Sequence, residues 1–353
     1  MTATDLDLSG HVVLPGLINA HDHLEFNLFP QLGRGIYPNA AAWARDIYHP
    51  DRSPIREHLR VPKPVRLWWG ALKNLLSGVT TVCHHNPYEL EVFGADFPIR
   101  VVRRFAWAHS LGFEPDLAAR FRKAPASYPF LVHCAEGVDA AARGEVQALD
   151  DLGALDQRTA IIHGVGLTGA GLALMRRRRA SLVWCPTSNL AMLGRTVSRA
   201  VLRSGIPMAL ATDCALSAPV DLLDELAVAR KYLPPARLYE MVTTGPAQIL
   251  RLAQSQTRSH TRGDWIAVRS EARTPAQALF DGVVALVVVA GRIRLISPEL
   301  ARQLPAPVRR RFQLLHIENR HPVLVDADVR ALRRAAAKHL GEDIRLAGKR
   351  ILT

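Results

Sequence analysis

The sequence predicts an α/β protein: a (β/α)8-type TIM barrel with a small β-rich appendage. From residue 159 onwards, short apolar segments alternate with segments of helical periodicity, and such βα repeats are typical of a parallel sheet. Polar residues gather where the apolar segments end, which is where a βα barrel carries its active site. The chain of 353 residues is long enough for one large domain and an appendage.

The chain begins, on this interpretation, with a lead-in strand of the appendage in residues 1–16, and the barrel occupies residues 17–253. The apolar run from Val12 to Ile18 leads into His21 and His23. Residues 25–66 carry several Pro, Gly and Arg residues and little periodicity. They predict a long irregular loop, and such loops are often lids or binding loops.

The remaining elements follow in order. Strands are expected at Val79–Cys83, Ile99–Trp107, Tyr128–His133, Thr159–Ile162, Ser181–Cys185 and Pro207–Thr212. Helices are expected at Trp68–Leu76, Asp116–Arg122, Val138–Leu152, Thr168–Arg178, Arg195–Ser204, Pro219–Lys231 and Pro235–Val242. Only two strands are recognisable between His23 and His133, so we expect one βα unit to be compressed or lost and the barrel to be irregular.

The appendage is expected to take up residues 254–353 after a polar linker, 254–263. Its predicted strands are Asp264–Arg269, Val283–Val289 and Arg292–Ile296, with a further hairpin in Phe312–Val325 that turns at 318–320. The last two of those three strands meet at Ala290-Gly291, a hairpin connection. An amphipathic helix follows over Asp326–Leu340, capped by its first residue.

Composition excludes several classes of partner. The net charge of +13 comes mostly from scattered arginines, and the densest run, Arg176–Arg179, ends a predicted helix. There is no aromatic interleaving or zinc-finger spacing, so we expect no nucleic-acid partner. The longest apolar run, Val283–Ala290, is too short to span a bilayer. Four dispersed cysteines and an N-terminus without signal-peptide features favour a reducing cytoplasm. A small-molecule substrate is expected, and a homo-oligomer is left open.

The chemistry is carried by polar residues at strand ends: His21, His23, Glu136, His133, His163 and Asp213. Residues two apart on a strand share a face, so His21 and His23 can hold one metal ion. Three histidines and an aspartate suit a divalent ion with one position open to water, whose pKa the ion lowers. Glu136 is then placed to shuttle protons to a leaving nitrogen. Alone, each residue has an ordinary alternative, such as a core histidine or a helix cap; the whole set favours the metal site.

These motifs resemble the amidohydrolase superfamily, and within it the branch of cytosine deaminases, S-adenosylhomocysteine deaminases and triazine hydrolases. Six segments carry the resemblance, in the family's order: Pro15-Gly16-Leu17-Ile18-Asn19-Ala20-His21-Asp22-His23, Gly78-Val79-Thr80-Thr81-Val82, His133-Cys134-Ala135-Glu136, Ile162-His163-Gly164-Val165, Cys185-Pro186-Thr187-Ser188-Asn189 and Ala211-Thr212-Asp213. The resemblance implies a hydrolase of non-peptide C–N bonds that deaminates a cyclic amidine or amino-heterocycle through a metal-bound hydroxide.

The resemblance also implies the roles of the residues. His21, His23, His133 and Asp213 would bind one divalent ion, and Asp213 would take a proton from the nucleophilic water. Glu136 would relay protons to the substrate, and His163 would hydrogen-bond the water or the oxyanion. A second metal usually needs a carboxylated lysine, and the only lysine between His85 and His133 is Lys123, in a predicted helix or loop. Zinc is preferred as the ion, and ferrous iron shares the same ligands.

Other features are left open. His84 and His109 are candidate pocket-lining residues, Asn189 is more readily structural than substrate-binding, and Cys134 should point away from the metal. Relatives usually have several strands before the Pro-Gly motif, so the appendage here is either incomplete or rebuilt from residues 312–353. The alternative functions are hydrolysis of a cyclic amide or halogenated ring at the same site, a non-catalytic binding protein and, least favoured, a nucleic-acid binder.

Overall fold

The computed structural model describes residues 5–252 and 263–352. The predicted linker, apart from its last residue, lies outside the described residues. The strands are β1 (His11–Pro15), β2 (Leu17–Asp22), β3 (Val79–His84), β4 (Arg100–Val101), β5 (Ala106–Ser110), β6 (Phe130–Cys134), β7 (Thr159–His163), β8 (Ser181–Trp184), β9 (Met208–Leu210), β10 (Trp265–Arg269), β11 (Val283–Val289), β12 (Arg292–Ile296), β13 (Gln313–Leu315), β14 (Val323–Val325), β15 (Arg345–Leu346) and β16 (Lys349–Arg350).

The helices of the described residues alternate with the strands through the first two thirds of the chain. They are α1 (Ala40–Ile47), α2 (Ile55–Arg60), α3 (Lys63–Leu76), α4 (Leu117–Lys123), α5 (Ala140–Asp151), α6 (Gly169–Arg178), α7 (Pro186–Leu193), α8 (Arg199–Leu202), α9 (Leu222–Ala229), α10 (Pro235–Met241), α11 (Thr244–Ile249), α12 (Pro275–Asp281), α13 (Pro298–Ala301), α14 (Ala306–Arg309) and α15 (Val329–Leu340), with a 3-10 turn at Leu24–Phe26.

Strands β2 to β9 form two parallel sheets. One sheet has the order β2-β3-β4 and the other has the order β5-β6-β7-β8-β9. The chain just after β9 lies beside β2, because the N–H of Asp213 donates to the carbonyl of His21 at 3.2 Å and the N–H of Thr212 donates to Asn19 Oδ1. The two sheets therefore face a shared interior, and helices cover them outside.

The region between β3 and β6 departs from the expected pattern. The single strand expected at Ile99–Trp107 is wrong, because β4 pairs with β3 whereas β5 pairs with β6. Exposed Arg103 and Arg104 interrupt the strand, and residues 102–105 join its two parts without a helix. Three strands, rather than the expected two, thus lie between His23 and His133, and neither the β3–β4 nor the β4–β5 connection contains a helix.

Side chains alternate between two apolar layers. On β6, Leu131 packs into an inner cluster with Ile18 and Ala209, whereas Phe130 and Val132 pack into the outer layer beneath the helices. This follows from the two-residue period of a strand. Cys134 belongs to the outer layer, as predicted. All four cysteines are free and buried.

Residues 25–66 are more ordered than the sequence suggested. They contain α1, α2 and the beginning of α3, so the expectation of an irregular segment is wrong. Asn39 caps α1 by accepting the N–H of Ala42. Helix α3 begins at Lys63 rather than Trp68, because Pro64 occupies the first turn, where its missing N–H costs nothing.

The second sheet is antiparallel, with the strand order β1-β10-β11-β12-β14-β13. Ala290 and Gly291 join β11 and β12 with φ angles of 53° and 73°, the left-handed pair that a tight hairpin requires. The hairpin β13–β14 extends the sheet beyond β12. Residues from 313–325 therefore belong to the same antiparallel sheet as β1 and β10.

The segment after α15 returns to the parallel-strand region. The N–H of Ala347 donates to the carbonyl of Asn27 at 2.9 Å. Lys349 of this segment pairs with Asp221 and Asp224, the same two carboxylates to which Arg320, between β13 and β14, donates at 2.5 Å and 2.7 Å. Helix α15 begins after an Asp328 cap rather than at Asp326. This returning segment therefore fixes residues close to His23. No helix in the described ranges is long and apolar enough to cross a membrane.

A buried acid connects two of the outer helices. Glu225 of α9 accepts the N–H of Thr187, in the first turn of α7, at 2.9 Å. Its side chain is fully buried, and this burial raises the pKa of the carboxyl to about 8. Because the pKa in the unfolded chain is near 4.5, folding holds a proton that the unfolded chain releases.

Glu225→Gln should therefore make the protein less sensitive to alkaline pH. The folded pKa is raised, so the wild type loses stability as pH rises from about 4.5 through about 8. The amide keeps an oxygen for Thr187 and does not titrate. Urea unfolding at pH 5 and pH 8.5 should show the variant gaining free energy of unfolding relative to wild type at the higher pH, by on the order of 1–3 kcal/mol. The exposed Glu240→Gln is the matched control; an identical pH dependence of wild type and Glu225→Gln would contradict the expectation.

Candidate metal centre

His21 and His23 reach the interior through an irregularity in β2. Ile18 and Ala20 point inward, so simple alternation would turn His21 outward. The register of β2 against β3 shifts between Asn19 and Asp22, which reverses the alternation. His21 and His23 consequently face Asp213, with their Nε2 atoms 3.5 Å and 3.7 Å from its Oδ1.

The other predicted residues also lie at strand ends. His133 shares the inward face of Leu131 on β6. His163 ends β7 and Asp213 follows β9, and both have left-handed backbones, with φ angles of 76° and 57°. That conformation costs an ordinary residue roughly 1–2 kcal/mol, and strain of this kind concentrates at functional sites. Here it turns both side chains back over the strand ends.

Hydrogen bonds fix the tautomer of each histidine. The Nδ1–H of His133 donates to the carbonyl of His109 at 2.8 Å, and that of His163 donates to Asn189 Oδ1 at 2.9 Å. The Nδ1–H of His23 donates to Asn86 Oδ1 at 3.2 Å. In neutral imidazoles these protons leave Nε2 with a lone pair. All three Nε2 lone pairs then point away from the surrounding backbone and toward the interior that the two parallel sheets share.

His85 fixes the fourth tautomer, that of His21. Its Nε2–H donates to the carbonyl of Ala108 at 3.1 Å, so its Nδ1 must accept a hydrogen bond from the Nδ1 of His21, 3.2 Å away. Burial lowers the pKa of His21 to about 4 and that of His85 well below its ordinary value, so both are neutral at pH 7. His21 Nε2 is left bare and has no hydrogen-bond partner.

These atoms suit a divalent cation. The ligand atoms of His21, His23 and Asp213 lie within 4.8 Å of one another, and so do those of His21, His133 and His163. Two atoms that bind one tetrahedral ion at 2.1 Å lie roughly 3.4 Å apart. Lone pairs that face one another without a proton repel, and a cation between them removes the repulsion. The two groups share His21, and together they contain the four predicted ligands and His163.

Asp213 is held as a carboxylate with one free oxygen. Its Oδ2 accepts the hydroxyls of Ser188 and Ser217 at 2.8 Å and 2.7 Å, which leaves Oδ1 toward the histidines.

The surroundings of Glu136, unlike those of Asp213, favour the protonated form of the carboxyl group. Burial, with the negative charge of Asp213 beside it, raises the pKa of the Glu136 carboxyl well above its usual value. Its Oε1 lies 3.3 Å from His163 Nε2. The turn that presents it is held by Glu145, whose carboxylate accepts the N–H of Ala135 at 2.5 Å. Burial thus favours the protonated form of Glu136, whereas two hydroxyl donors favour the carboxylate of Asp213, and such a pair is what acid–base chemistry uses.

Asp22 points away from these groups and ties four segments together. Its carboxylate pairs with Lys73 Nζ at 2.8 Å and accepts from Asn74 Nδ2 at 2.7 Å, both on α3. It also accepts from Asn27 Nδ2 at 2.8 Å, and Lys73 donates to the hydroxyl of Thr212 at 3.0 Å. The residue between the two site histidines thus anchors them to a helix, a loop and the neighbouring strand end.

Sequence reasoning missed His85, which supports His21 from behind and whose ring stacks on that of His133 at 4.6 Å. Its neighbour His84 does not line the cavity; its Nε2 faces Glu25 at 3.4 Å. His109 does line it. Asn189 holds His163, so its role is structural. The role of His85 depends on the carbonyl of Ala108, which β5 brings against its ring. No local sequence pattern indicates that contact.

A cavity of about 520 Å³ opens over the strand ends. His23, His133, His163, Glu136 and Asp213 line its floor. Helix α1 forms one wall, and its first residue, Ala40, donates its N–H to the carbonyl of Glu136 at 3.0 Å. The volume is that of a small-molecule site.

Comparison with known proteins agrees with this geometry. A sequence model of the amidohydrolase family matches residues 130–294. The 5-methylthioadenosine/S-adenosylhomocysteine deaminase of Pyrococcus furiosus is 27% identical, over 70% of this chain and 72% of its own. The enzyme of the same name from Syntrophobacter fumaroxidans is 26% identical, over 69% of this chain and 68% of its own.

Solved structures share the fold. An adenosine deaminase from Xanthomonas campestris with bound zinc has a TM-score of 0.67 at 20% identity, and 94% of this chain and 85% of that one are covered. A mutant atrazine chlorohydrolase from Arthrobacter aurescens, complexed with zinc and atraton, has a TM-score of 0.68 at 16% identity, with 94% and 88% covered. The resemblance to the amidohydrolase superfamily that the six motifs predicted is thereby confirmed.

His85→Phe should weaken metal binding without unfolding the protein. Phenylalanine retains the ring contacts with His133 and Trp107 but offers no acceptor to the Nδ1–H of His21. Loss of such a supporting hydrogen bond typically costs 10–100-fold in metal affinity. Zinc competition with a chromophoric chelator measures the change, and His11→Gln, on β1 and far from the site, is the control. Equal affinity of His85→Phe and wild type would refute this role.

Proposed function

We propose that this protein is a metal-dependent hydrolase of C–N bonds other than peptide bonds, and that it deaminates an amino-heterocycle. One observation carries the proposal: four buried imidazoles give their Nδ1 protons to partners outside the ligand set, and two of them, His21 and His23, present bare Nε2 atoms within 3.7 Å of Asp213 Oδ1. The deaminase names of the relatives and the zinc in the solved neighbours support it.

His21, His23, His133 and Asp213 would hold one divalent ion, with zinc preferred to iron. When bound, such an ion acts as a Lewis acid and makes a water molecule nucleophilic near neutral pH. The described residues offer no lysine within this ligand set: Lys73 is paired with Asp22 behind it, and Lys123 ends α4. One ion is therefore the preferred occupancy.

The acid–base steps fall to three side chains. Asp213 Oδ1 takes a proton from the nucleophilic water while its Oδ2 stays bonded to the two serines. His163 Nε2 is bare because its Nδ1–H is bound to Asn189, so it accepts a hydrogen bond from the water and orients it. Glu136 carries a proton and delivers it from its carboxyl oxygen to the ring nitrogen or the departing amine.

The same residues would also serve a different leaving group. Loss of chloride from a ring needs the same nucleophile, and opening of a cyclic amide needs both the same nucleophile and the same acid. The atrazine chlorohydrolase neighbour keeps the first of these alternatives open. Deamination is preferred because Glu136 holds a proton, which an amine leaving group needs and a chloride does not.

The two parallel sheets also support a proposal about how the strands close on one another. We infer that β2 to β9 close into a (β/α)8-type barrel with no helix between β3 and β4 or between β4 and β5, because hydrogen bonds join the chain after β9 to β2. Residues 17–253 would form this barrel, and residues 1–16 with 254–353 would form the appendage. The substrate would be a small molecule.

Elemental analysis combined with ammonia release tests the function. Freshly purified protein should contain about one zinc or iron per chain and should release ammonia from at least one purine, pyrimidine, pterin or triazine amine. Stoichiometric metal without hydrolysis of any compound in the panel would favour a binding protein instead.

Glu136→Gln should abolish turnover and leave the metal in place. Its amide cannot transfer a proton, and loss of a general acid typically costs 10²–10⁴-fold in rate. We expect kcat to fall by at least roughly 100-fold at unchanged metal content. Glu240→Gln, exposed on α10, is the matched substitution and should behave as wild type. An active Glu136→Gln enzyme would exclude the assigned proton transfer.

A further inference from the structure

We propose that a groove on the appendage binds a nucleoside polyphosphate, at a site separate from the candidate metal centre. The groove lies between helix α15 and β13, the last strand of the antiparallel sheet, and has a volume of about 730 Å³. That volume is in the range of small-molecule sites. None of its lining residues belongs to the cavity over the parallel-strand ends. Four arginines line the groove: Arg310, Arg330, Arg333 and Arg334.

Three of these arginines lie on one face of α15. Arg330, Arg333 and Arg334 are three and four residues apart, and residues at these spacings are neighbours on a helix. The helix, Val329–Leu340, contains no acidic residue, so nothing within it offsets the repulsion among these like charges. The start of a helix also carries a partial positive charge, which adds to the repulsion. An anion bound in the groove would relieve it.

Few carboxylates compete for the guanidinium groups of the groove. In the part of the chain that the structure describes, Arg310, Arg330 and Arg334 form no salt bridge and donate no side-chain hydrogen bond. Arg333 donates to Glu342 at 2.9 Å, but that carboxylate is 83% exposed and remains in contact with water. The Nε of Arg333 is buried and has no hydrogen-bond partner. The groove therefore offers an anion three guanidinium groups without a carboxylate partner.

Acidic residues limit the positive surface along α15. Asp328 caps the start of the helix, where it accepts the N–H of Ala331, and Glu342 follows the end and lines the groove. Between them, Arg330 and Arg334 are about 6 Å apart along the helix axis. A chain of two or three phosphates spans that distance. The longer backbone of a nucleic-acid strand that continued along the groove would meet the carboxylate of Glu342.

The charged and apolar side chains of the groove suit different parts of one ligand. Guanidinium groups bind phosphate oxygens through pairs of N–H donors, so the arginines suit a phosphate chain. Phe312 and Leu314 add apolar surface to the same groove, and Leu314 is 46% exposed. A base packed against these side chains would remove that surface from water, whereas an inorganic phosphate chain would not. A nucleoside polyphosphate supplies both parts.

A second arginine-lined cavity, of about 490 Å³, shows the difference between structural and unpartnered arginines. There, Arg176 donates to the carbonyl of Ser204 at 2.7 Å, and Arg251 donates to the carbonyl of Ala126 at 2.9 Å. Those guanidinium groups hold chain segments together. The arginines of the α15 groove have no such carbonyl partners among the described residues, which is why the proposal concerns this groove alone.

Calorimetric titration of the whole protein at low ionic strength tests the inference. The probes are uridine triphosphate, inorganic tripolyphosphate, uridine and a single-stranded oligothymidylate. Uridine triphosphate is chosen because uracil has no exocyclic amine, so the proposed deamination cannot consume it. It should bind with one molecule per chain and at least roughly threefold more tightly than tripolyphosphate, since its base covers apolar surface. Uridine, which has no phosphate, should show no binding.

Substitutions separate the two parts of the groove. Arg330→Gln combined with Arg334→Gln should weaken binding of uridine triphosphate by roughly tenfold or more, because charge-assisted hydrogen bonds are lost while helix propensity is kept. Leu314→Ala should weaken it by roughly twofold to fivefold and leave tripolyphosphate binding unchanged. Arg177→Gln, an exposed arginine of α6 outside the groove, is the matched control and should bind as wild type. Circular dichroism checks that each variant is folded.

Four results would overturn the inference. They are absence of binding by uridine triphosphate, equal binding of uridine triphosphate and tripolyphosphate, unchanged affinity in the double arginine variant, and tighter binding of the oligothymidylate than of uridine triphosphate. The last result would make the groove a nucleic-acid interface instead. Binding is measured without any hydrolysis, so failure of this inference and failure of the proposed deaminase function are distinguishable.

Discussion

The buried carboxylate of Asp22 is the interaction on which the site depends. It lies between the two histidines of β2 and forms an almost completely buried ion pair with Lys73. Removal of one partner from such a pair typically costs about 3–5 kcal/mol, because the other charge is left unpaired. Since Asp22 also binds Asn27 and Asn74, the bulge that turns His21 and His23 inward is held from three directions. The position of the imidazoles is therefore set by charges that never reach the cavity.

The donor atoms are held in place by hydrogen bonds to groups outside the ligand set. Each site histidine gives its Nδ1–H to a fixed acceptor, and Asp213 is oriented by two serines. Little side-chain reorganisation is then needed on binding, which favours affinity. The cost is repulsion among inward lone pairs in the ion-free protein, and left-handed backbones at His163 and Asp213 add to it. Stability and metal content should consequently be coupled.

Much of this site could be predicted from the sequence because strand ends leave local marks. His21 and His23 follow an apolar run at two-residue spacing, and His133, His163 and Asp213 each follow another. The bulge in β2 and the support from His85 could not be predicted, since both depend on contacts with β3 and β5 that are distant in sequence. Residues 25–66 were misjudged for a different reason: their helices are short, and tertiary contacts such as that of Ala40 with Glu136 stabilise them.

The returning segment after α15 has a consequence for how the protein matures. Ala347 binds the backbone of Asn27, whose side chain holds Asp22, so a residue near the end of the described chain supports one near its start. During synthesis the histidines of β2 would leave the ribosome long before this support exists. Closing so long a loop is entropically slow, and nascent chains would pass through a period in which the parallel strands have formed but the metal ligands are not yet fixed. Chaperone dependence and late acquisition of the ion would follow from that order of assembly.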